Sequence, residues 1–402
     1  LNPSRDVSDR PVPTAQGASA LPLAGLTVVE FGHSVAAPHA GQILSDLGAE
    51  VVKIEKPGGD DARRWGPPYL DGAGATFQAL NRNKKSVVAN LRDAATLHAL
   101  KGFIRDHADV VLQNLRPGQV EEIGLGAATL LADKPSLIYC NMGAFGATGP
   151  LCKHPGYDPL LQAFGGIMSV VGEPGRPAVR VGPPIIDSGT AIWAALGIVS
   201  ALYRKRSTGI GGVVDVSLFE TATSWMNILA AQYEGGGELP KKAGSGQVGI
   251  VPYRAYATSD GELVVAAGND VTFDKLCSAL GHPEWSGDIC FATNHARVLN
   301  AERLYALIEP VMRTQSNAAW TEVFEARGIP CAPVQNVAEM LAHPQTVALG
   351  IYQEVPGCSA PLVGLPMSFD GERPRPRSAA PKLGADTDAI LGAYMHREES
   401  RT

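Results

Sequence analysis

The side chain in this 402-residue chain with the clearest chemical potential is Asp187, within Arg180-Val-Gly-Pro-Pro-Ile-Ile-Asp187-Ser188-Gly189. It follows two apolar residues and stands where a strongly apolar helix, Thr190 to Lys205, begins. An acid there has two compatible readings. One is an N-cap, whose carboxylate accepts N–H groups of the first turn. The other is a carboxylate nucleophile, kept ionised by those N–H groups and the helix dipole, which also stabilise an oxyanion forming beside it. Gly189 leaves room for a substrate in this second reading. A further feature is basic: Lys53, Lys56, Arg63, Arg64, Arg82, Lys84, Lys85 and Arg92 share their stretch with only four acids, Glu55, Asp60, Asp61 and Asp71. That excess reads either as a solvated face or as a binding region for a phosphorylated cofactor.

Other chemistries lack their residues. Glu55 sits where a ribose-binding acid would stand, but the preceding turn, Gly32-His-Ser-Val-Ala-Ala-Pro-His-Ala-Gly41, is not G-x-G-x-x-G. Gly244-Ser-Gly246 has no strand before it and makes no nucleophile elbow, and a Walker loop is absent. The nine histidines form no ligand pair and the six cysteines no C-x-x-C, so no metal site is expected. The scattered cysteines fit reduced thiols in a cytoplasmic setting, with an organellar matrix left open. A net charge of −6 argues against nucleic-acid binding. No membrane span is expected: the longest apolar run, Ala191 to Tyr203, falls short of the roughly 18 residues needed and reads as a core helix.

The elements that must carry these residues alternate. Leu26–Phe31, Glu50–Glu55, Lys85–Ala89, Ala108–Leu112 and Leu137–Cys140 have the β-branched richness of strands. Helical spacing separates them at Pro38–Leu47 and Ala94–Arg105, so βαβ units and a parallel, doubly wound sheet are expected. Val213–Ser217 follows the apolar helix as another strand. Beyond the glycine- and lysine-bearing segment Glu234–Gly249, a hairpin at Tyr253–Ala267 and helices at Thr272–Leu280, Ala301–Thr314 and Asn317–Ala326 suggest a smaller α+β domain. The expected organisation is a disordered tail at 1–20, a large domain at 21–233, a linker or loop at 234–249, a small domain at 250–345, and a return segment at 346–402 that packs on the large domain.

Several segments together resemble the family III CoA-transferases, which include formyl-CoA and carnitine CoA-transferases and the related α-methylacyl-CoA racemases. They are Leu23–Phe31, Leu47–Glu55, Asn81–Ser86, Ala108–Gly118, Phe145–Pro150, Gly156-Tyr-Asp158, Pro184–Asp187 and Gly328–Pro333. The resemblance implies an α/β fold with a Rossmann-like parallel sheet in the large domain, a smaller α+β domain, and an interlocked homodimer. It makes Asp187 the catalytic aspartate of a transferase that moves CoA from an acyl-CoA, with succinyl-CoA or another dicarboxylyl-CoA as donor, to a free carboxylic acid. CoA and acyl-CoA are then substrates, with no permanently bound cofactor.

The same resemblance implies site residues. Val35 and Ala36 fall near the pantetheine and Lys56 near the phosphates, while Ala89, Asn90, Leu91 and Arg92, with Asn114, Leu115 and Arg116, flank the adenosine. A phosphate-binding Arg of some relatives falls near Glu122 here, so Lys56, Arg92 and Arg116 are its expected replacements. Tyr157 takes the place of the racemases' proton-transferring His; a tyrosine, whose reference pKa is about 10, is a residue type poorly suited to act as a base at neutral pH, which favours transferase over racemase or epimerase. Tyr157 is expected to hydrogen-bond the substrate, or else to be a packed tyrosine, and Asp158 to cap a following helix. Gly244, Ser245 and Gly246 correspond to a flexible loop over the site, or to a plain linker. Arg180 and the Arg63–Arg64 pair are candidates for a second substrate carboxylate. A silent CoA-binding protein remains the rival outside catalysis.

Overall fold

The computed structural model describes residues 21–399, so the tail expected at 1–20 lies outside the described residues. In chain order come β1 (Thr27–Phe31), α1 (Ala36–Asp46), β2 (Glu50–Glu55), β3 (Lys84–Val88), α2 (Ala94–His107), β4 (Val110–Gln113) and β5 (Ile138–Gly143). Then follow α3 (Asp158–Phe164), α4 (Ile185–Thr208), β6 (Gly212–Ser217) and α5 (Leu218–Trp225). A second sheet is built from β7 (Tyr253–Ala257), β8 (Glu262–Ala266) and β9 (Cys331–Pro333), and α6 (Thr387–Glu399) comes last. Shorter helices and turns connect these elements.

The chain divides into two compact units. The first comprises the chain up to Met142, Ala191–Val216 and everything from Gln353 onward. The second comprises Gly143–Thr190 and Ser217–Tyr352. Segments 143–190 and 217–233, which the sequence reading groups with the large domain, therefore fold with the second unit.

In the first unit six strands lie in the order β3-β2-β1-β4-β5-β6. The pairs β3–β2, β2–β1, β1–β4 and β4–β5 are all parallel. This is the strand order of a dinucleotide-binding sheet, and it reverses direction between β1 and β4. Parallel strands buried on both faces need continuous apolar runs, and Val29, Val52, Val87, Val111 and Tyr139 supply the core with Leu100 and Ile104 of α2. Asp93 starts α2 by accepting Thr96 N–H at 2.8 Å. The last helix returns to this core: Leu391 is buried in it and the Tyr394 ring meets Phe103 edge-on.

The second unit has its own core, where the antiparallel β7–β8–β9 sheet is covered by helices. Leu263 and Val265 of β8 point into it against Phe273, Leu304, Trp320 and Phe324. All six cysteines are free; Cys140 and Cys277 are buried and the rest half-buried.

Helix α4 departs from its sequence expectation. It starts earlier and, at 24 residues with a hydropathy of 1.6, is long and apolar enough by length and composition to cross a membrane. Only one stripe is buried in protein, formed by Ala191, Ala194, Ala195, Ile198 and Ala201. Ile192, Leu196, Val199 and Tyr203, spaced by three and four residues, are exposed, so it is not a fully enclosed core helix.

Candidate active site

Asp187 is the third residue of α4, not its N-cap. Pro183 and Pro184 precede the helix and carry no side-chain acceptor, so the first turn has no cap of its own. The cap arrives from α3: Asp158 Oδ2 accepts the N–H of Ile186 at 2.8 Å and of Asp187 at 3.2 Å. Asp158 lies inside the first turn of α3, whose own N-cap position is Tyr157. It therefore caps α4 rather than the helix that begins at its own position. Gln162, one turn further along α3, donates to Asp158 Oδ1 at 2.6 Å and accepts Val181 N–H at 2.8 Å.

This arrangement corrects two expectations. The first-turn N–H groups are occupied by Asp158 and do not serve Asp187. Burial, with the neighbouring Asp158 charge adding to it, pushes Asp187 up to about 7, so the helix start does not hold it ionised in the ordinary carboxylate range. Within its unit, no described residue donates a hydrogen bond to the Asp187 carboxylate.

Gly189 does not leave a space for substrate. A Cβ there would lie 2.8 Å from Trp225 Cζ2 and 2.9 Å from Thr221 Cγ2. The glycine instead lets α5 pack closely on α4, and Thr190 Oγ1 completes the join by donating to Ile186 O and meeting Thr221 Oγ1 at 2.8 Å. Tyr157 is not a packed tyrosine in this chain. It is 59% exposed, and the Asp158 contacts tie its backbone to the first turn of α4.

The Gly244–Gly246 segment is anchored. Gly244 N–H donates to Gly172 O at 3.1 Å and Ser245 Oγ accepts Ala255 N–H at 3.1 Å. Lys242 Nζ holds the carbonyls of Arg176 and Pro177 at 2.8 and 2.7 Å. Gly244 has φ +60°, and a Cβ there would lie 2.5 Å from Glu173 Oε1, which accounts for the residue type. These bonds join the loop to Gly172–Pro177 and to β7, not to Asp187.

In the first unit, the residues expected to hold CoA collect at one edge of the sheet. Val35 and Ala36 follow β1, Lys56 follows β2, Ala89 to Arg92 follow β3, and Asn114 to Arg116 follow β4. Because these strands are parallel, all four groups lie at their carboxyl ends, beside the point where strand order reverses, the usual ligand position of such sheets. The loops after β1 and β4 are clasped together: Asn114 Oδ1 accepts His33 N–H and Asn114 Nδ2 donates to His33 O, each at 3.0 Å. Asn114 thus uses its amide on the loop. Ala36 and Ala89 are buried, Leu91 and Leu115 pack on the core, and Asn90 Oδ1 turns onto Arg92 N–H. Lys56, Arg92 and Arg116 are the exposed cations of the set.

The basic stretch is divided: Lys53, Arg82 and Lys84 are buried, Arg63 and Lys85 half-buried, and Lys56, Arg64 and Arg92 exposed, so it is not one uniform face. Lys53 Nζ sits 3.1 Å from Glu30 and 2.9 Å from Asp60, all buried. Lys84 pairs with Glu30 at 2.8 Å, and Arg82 with Asp46 at 2.5 Å. Arg63 grips Glu55 through two bonds and lies over the Phe77 ring, so it is not open to a substrate carboxylate. Lys85 pairs with Glu50, while Lys56 and Arg64 share Asp61 on the surface. Burial pulls Lys53 down, but Glu30 and Asp60 outweigh it and hold the ammonium above the usual lysine value.

Comparison with known proteins decides what this pair of sites belongs to. The profile of CoA-transferase family III matches residues 23–387. The chain belongs to CoA-transferase family III. It is an enzyme of that class and its substrates are CoA thioesters. It is 33% identical to human succinyl-CoA:glutarate CoA-transferase, over 94% of this chain and 87% of that protein. It is 36% identical to acetyl-CoA:oxalate CoA-transferase of Acetobacter aceti, over 94% and 97%. Among solved structures, a CAIB/BAIF family protein from Brucella suis superposes with a TM-score of 0.86 at 36% identity, covering 93% of this chain and all of that one. This family III CoA-transferase carries two neighbouring acids, Asp187 and the Gln162-held Asp158, whose joint geometry no local sequence pattern announces. The local signal is slight: Pro183 and Pro184 bring no side-chain acceptor to the start of the helix, which leaves its N–H groups open to one from elsewhere.

Proposed function

We propose that this family III CoA-transferase moves CoA from succinyl-CoA to a free dicarboxylic acid through covalent intermediates on Asp187. The observation that carries the reading is Asp187 itself: a half-buried carboxylate in the first turn of α4, beside Asp158 and with its pKa near 7. A carboxylate whose charged form is disfavoured gains by becoming a neutral acyl derivative. Asp187 Oδ attacks the donor carbonyl, the C–S bond breaks, and CoA leaves as thiolate. The thiolate attacks the aspartyl carbonyl of the mixed anhydride, releasing the donor carboxylate and leaving an aspartyl-CoA thioester. The acceptor carboxylate attacks that carbonyl, and the released thiolate then takes the acceptor's acyl group, returning Asp187 to its ionised state. Acyl activation is retained throughout, so no ATP is consumed.

The dicarboxylates in the relatives' names, glutarate and oxalate, support the acceptor class, and succinyl-CoA recurs among those names. Tyr157, exposed and tied to Asp187 through Asp158, is assigned to hydrogen-bond the substrate. Lys56, Arg92 and Arg116 are assigned to the CoA phosphates, Arg180 to the second acceptor carboxylate, and the Gly244–Gly246 loop to covering the site. The exposed stripe on α4, with Leu196 at 53% and Tyr203 at 78%, supports a homodimer that covers it, interlocked as the family resemblance implies. Sedimentation of a folded, active monomer would contradict that assembly.

Incubation with succinyl-CoA followed by hydroxylamine should place the modification on Asp187, located by mass spectrometry. Asp187→Ala should lose turnover by roughly 10⁴-fold or more. Label elsewhere, with Asp187→Ala fully active, would overturn the mechanism. Exchange of the substrate α-proton with solvent deuterium, without an acceptor acid, would instead mark a racemase.

A further inference from the structure

Three N–H donors converge on one buried carboxylate in the second unit. Asp158 accepts Ile186 N–H and Asp187 N–H on Oδ2 and Gln162 Nε2–H on Oδ1, the pattern an ionised, acceptor-only group satisfies. Asp158 is 3% exposed and Gln162 fully buried, and Gln162 bridges on to Val181 N–H, 19 residues along the chain from it. The segment leading into α4 and its first turn are therefore bolted to α3 through two side chains.

We infer that Asp158, held by Gln162, is the positioning residue of Asp187: it fixes the first turn that presents the nucleophile, and its charge favours the acylated, uncharged form of Asp187 over the free carboxylate. This inference rests on the covalent reading above. In forming the aspartyl-CoA thioester, the negative charge on Asp187 leaves the site with the departing donor carboxylate. A fixed like charge beside it makes that departure more favourable, and the raised Asp187 pKa reports the same preference for a neutral state. Among the described residues of this unit, no cation is paired with either acid. From α5 the groups facing the start of α4 are Thr221 and Trp225, both uncharged, while Glu220 of that helix accepts the Ser217 hydroxyl at 2.6 Å. Arg180, on the preceding loop, directs its guanidinium to the carbonyls of Gly182 and Val181.

Asp158→Asn keeps an amide oxygen for the helix N–H groups and removes the charge, but its NH2 then faces Gln162 Nε2. Gln162→Leu, which loses the same bond and keeps the charge, is the control that separates the roles and should leave the pH limb where it is in wild type. In the full-length Asp158→Asn enzyme with succinyl-CoA and glutarate, the acid limb of kcat/KM should move down from near pH 7 by about one pH unit. The fraction of enzyme trapped by hydroxylamine at Asp187 should fall several-fold. Asp158→Ala, checked for folding by circular dichroism, should lose activity by a further ~10²-fold as the first turn loses its anchor. A merely structural Asp158 would lower the rate and leave the pH limb and the trapped fraction where they were. An unmoved limb and unchanged trapping in Asp158→Asn, with wild-type enzyme still labelled at Asp187, would overturn the inference alone. Loss of label from the wild type, with Asp187→Ala active, would remove the covalent reading on which it stands.

Discussion

Two groups of buried acids in this chain are built in opposite ways. In the first unit Glu30 and Asp60 face two lysines, Lys53 and Lys84, so the cluster is neutral as a whole. Burial pushes Asp60 upward, but Lys53 and the N–H groups of Ala62 and Ser34 overcome it and hold the carboxyl below its usual range. Among the described residues of the second unit, the charged neighbour of Asp187 is another acid, Asp158, and burial with that charge raises its pKa to about 7. Pairing turns buried charge into scaffold, while an uncompensated neighbour turns it into a reactive group. The scaffold role is visible in what the first cluster holds: Lys53 donates to Gly32 O and Asp60 accepts Ser34 N–H, fixing the loop after β1 where CoA is assigned.

The contrast can be broken most sharply from the paired side. Lys53→Met leaves Asp60 without its cation and Glu30 with only one of its two, in a site closed to water. Removing one member of such a pair costs about 3–5 kcal/mol, and chemical denaturation should show a loss of that size. A loss below about 1 kcal/mol would mean that these charges are not mutually dependent.

The second site predicts the reverse sign. A carboxylate raised from near 4 to about 7 stabilises the fold fully below pH 4 and loses that contribution as pH rises through 7. Asp187→Asn removes the penalty, so the variant should be more stable than wild type by on the order of 2 kcal/mol at pH 8, and by much less at pH 5. Asp60, whose pKa is depressed, contributes in the other direction: its share is present above pH 4 and lost as pH falls below it. Urea melts of the two proteins at both pH values measure the difference. A variant no more stable at pH 8 than at pH 5, relative to wild type, would show that Asp187 is not poised as described.

Periodicity made the first of these regions legible and long-range pairing hid its charge. The β-branched runs and their helical spacers read correctly along the chain, with Glu50–Glu55 in the same place in sequence and structure, because each depends on local pattern alone. The basic excess misled because three further acids that balance it, Glu30, Asp46 and Glu50, lie outside the stretch. Glu30 meets Lys53 as its direct partner across β1 and β2, and Asp46 and Glu50 come from the same earlier unit. Register between parallel strands leaves no mark in either segment. Asp187 is legible from its position before an apolar run, whereas its electrostatics depend on Asp158, 29 residues earlier and on another helix. The long helix starts at Ile185 rather than Thr190 for the same reason, since a remote cap completes a turn that the prolines leave open.

The smallest expected effect tests whether exposure, rather than residue type, decides the role of a lysine in this stretch. Lys56 lies three residues beyond Lys53 and pairs with Asp61 at the same 2.9 Å that separates Lys53 from Asp60, but its side chain is 59% exposed. An exposed pair contributes little in water, so Lys56→Ala should leave stability within about 0.5 kcal/mol of wild type. Its proposed work is instead on ligand, at the carboxyl end of β2. The same variant should raise KM for succinyl-CoA several-fold with kcat nearly unchanged, the signature of binding lost equally in ground and transition states. Added salt should narrow that gap, because a screened contact has less to lose. A change in kcat with KM preserved would place Lys56 with the scaffold of Lys53, and the distinction between paired, buried cations and open ones would fail at its nearest point of comparison.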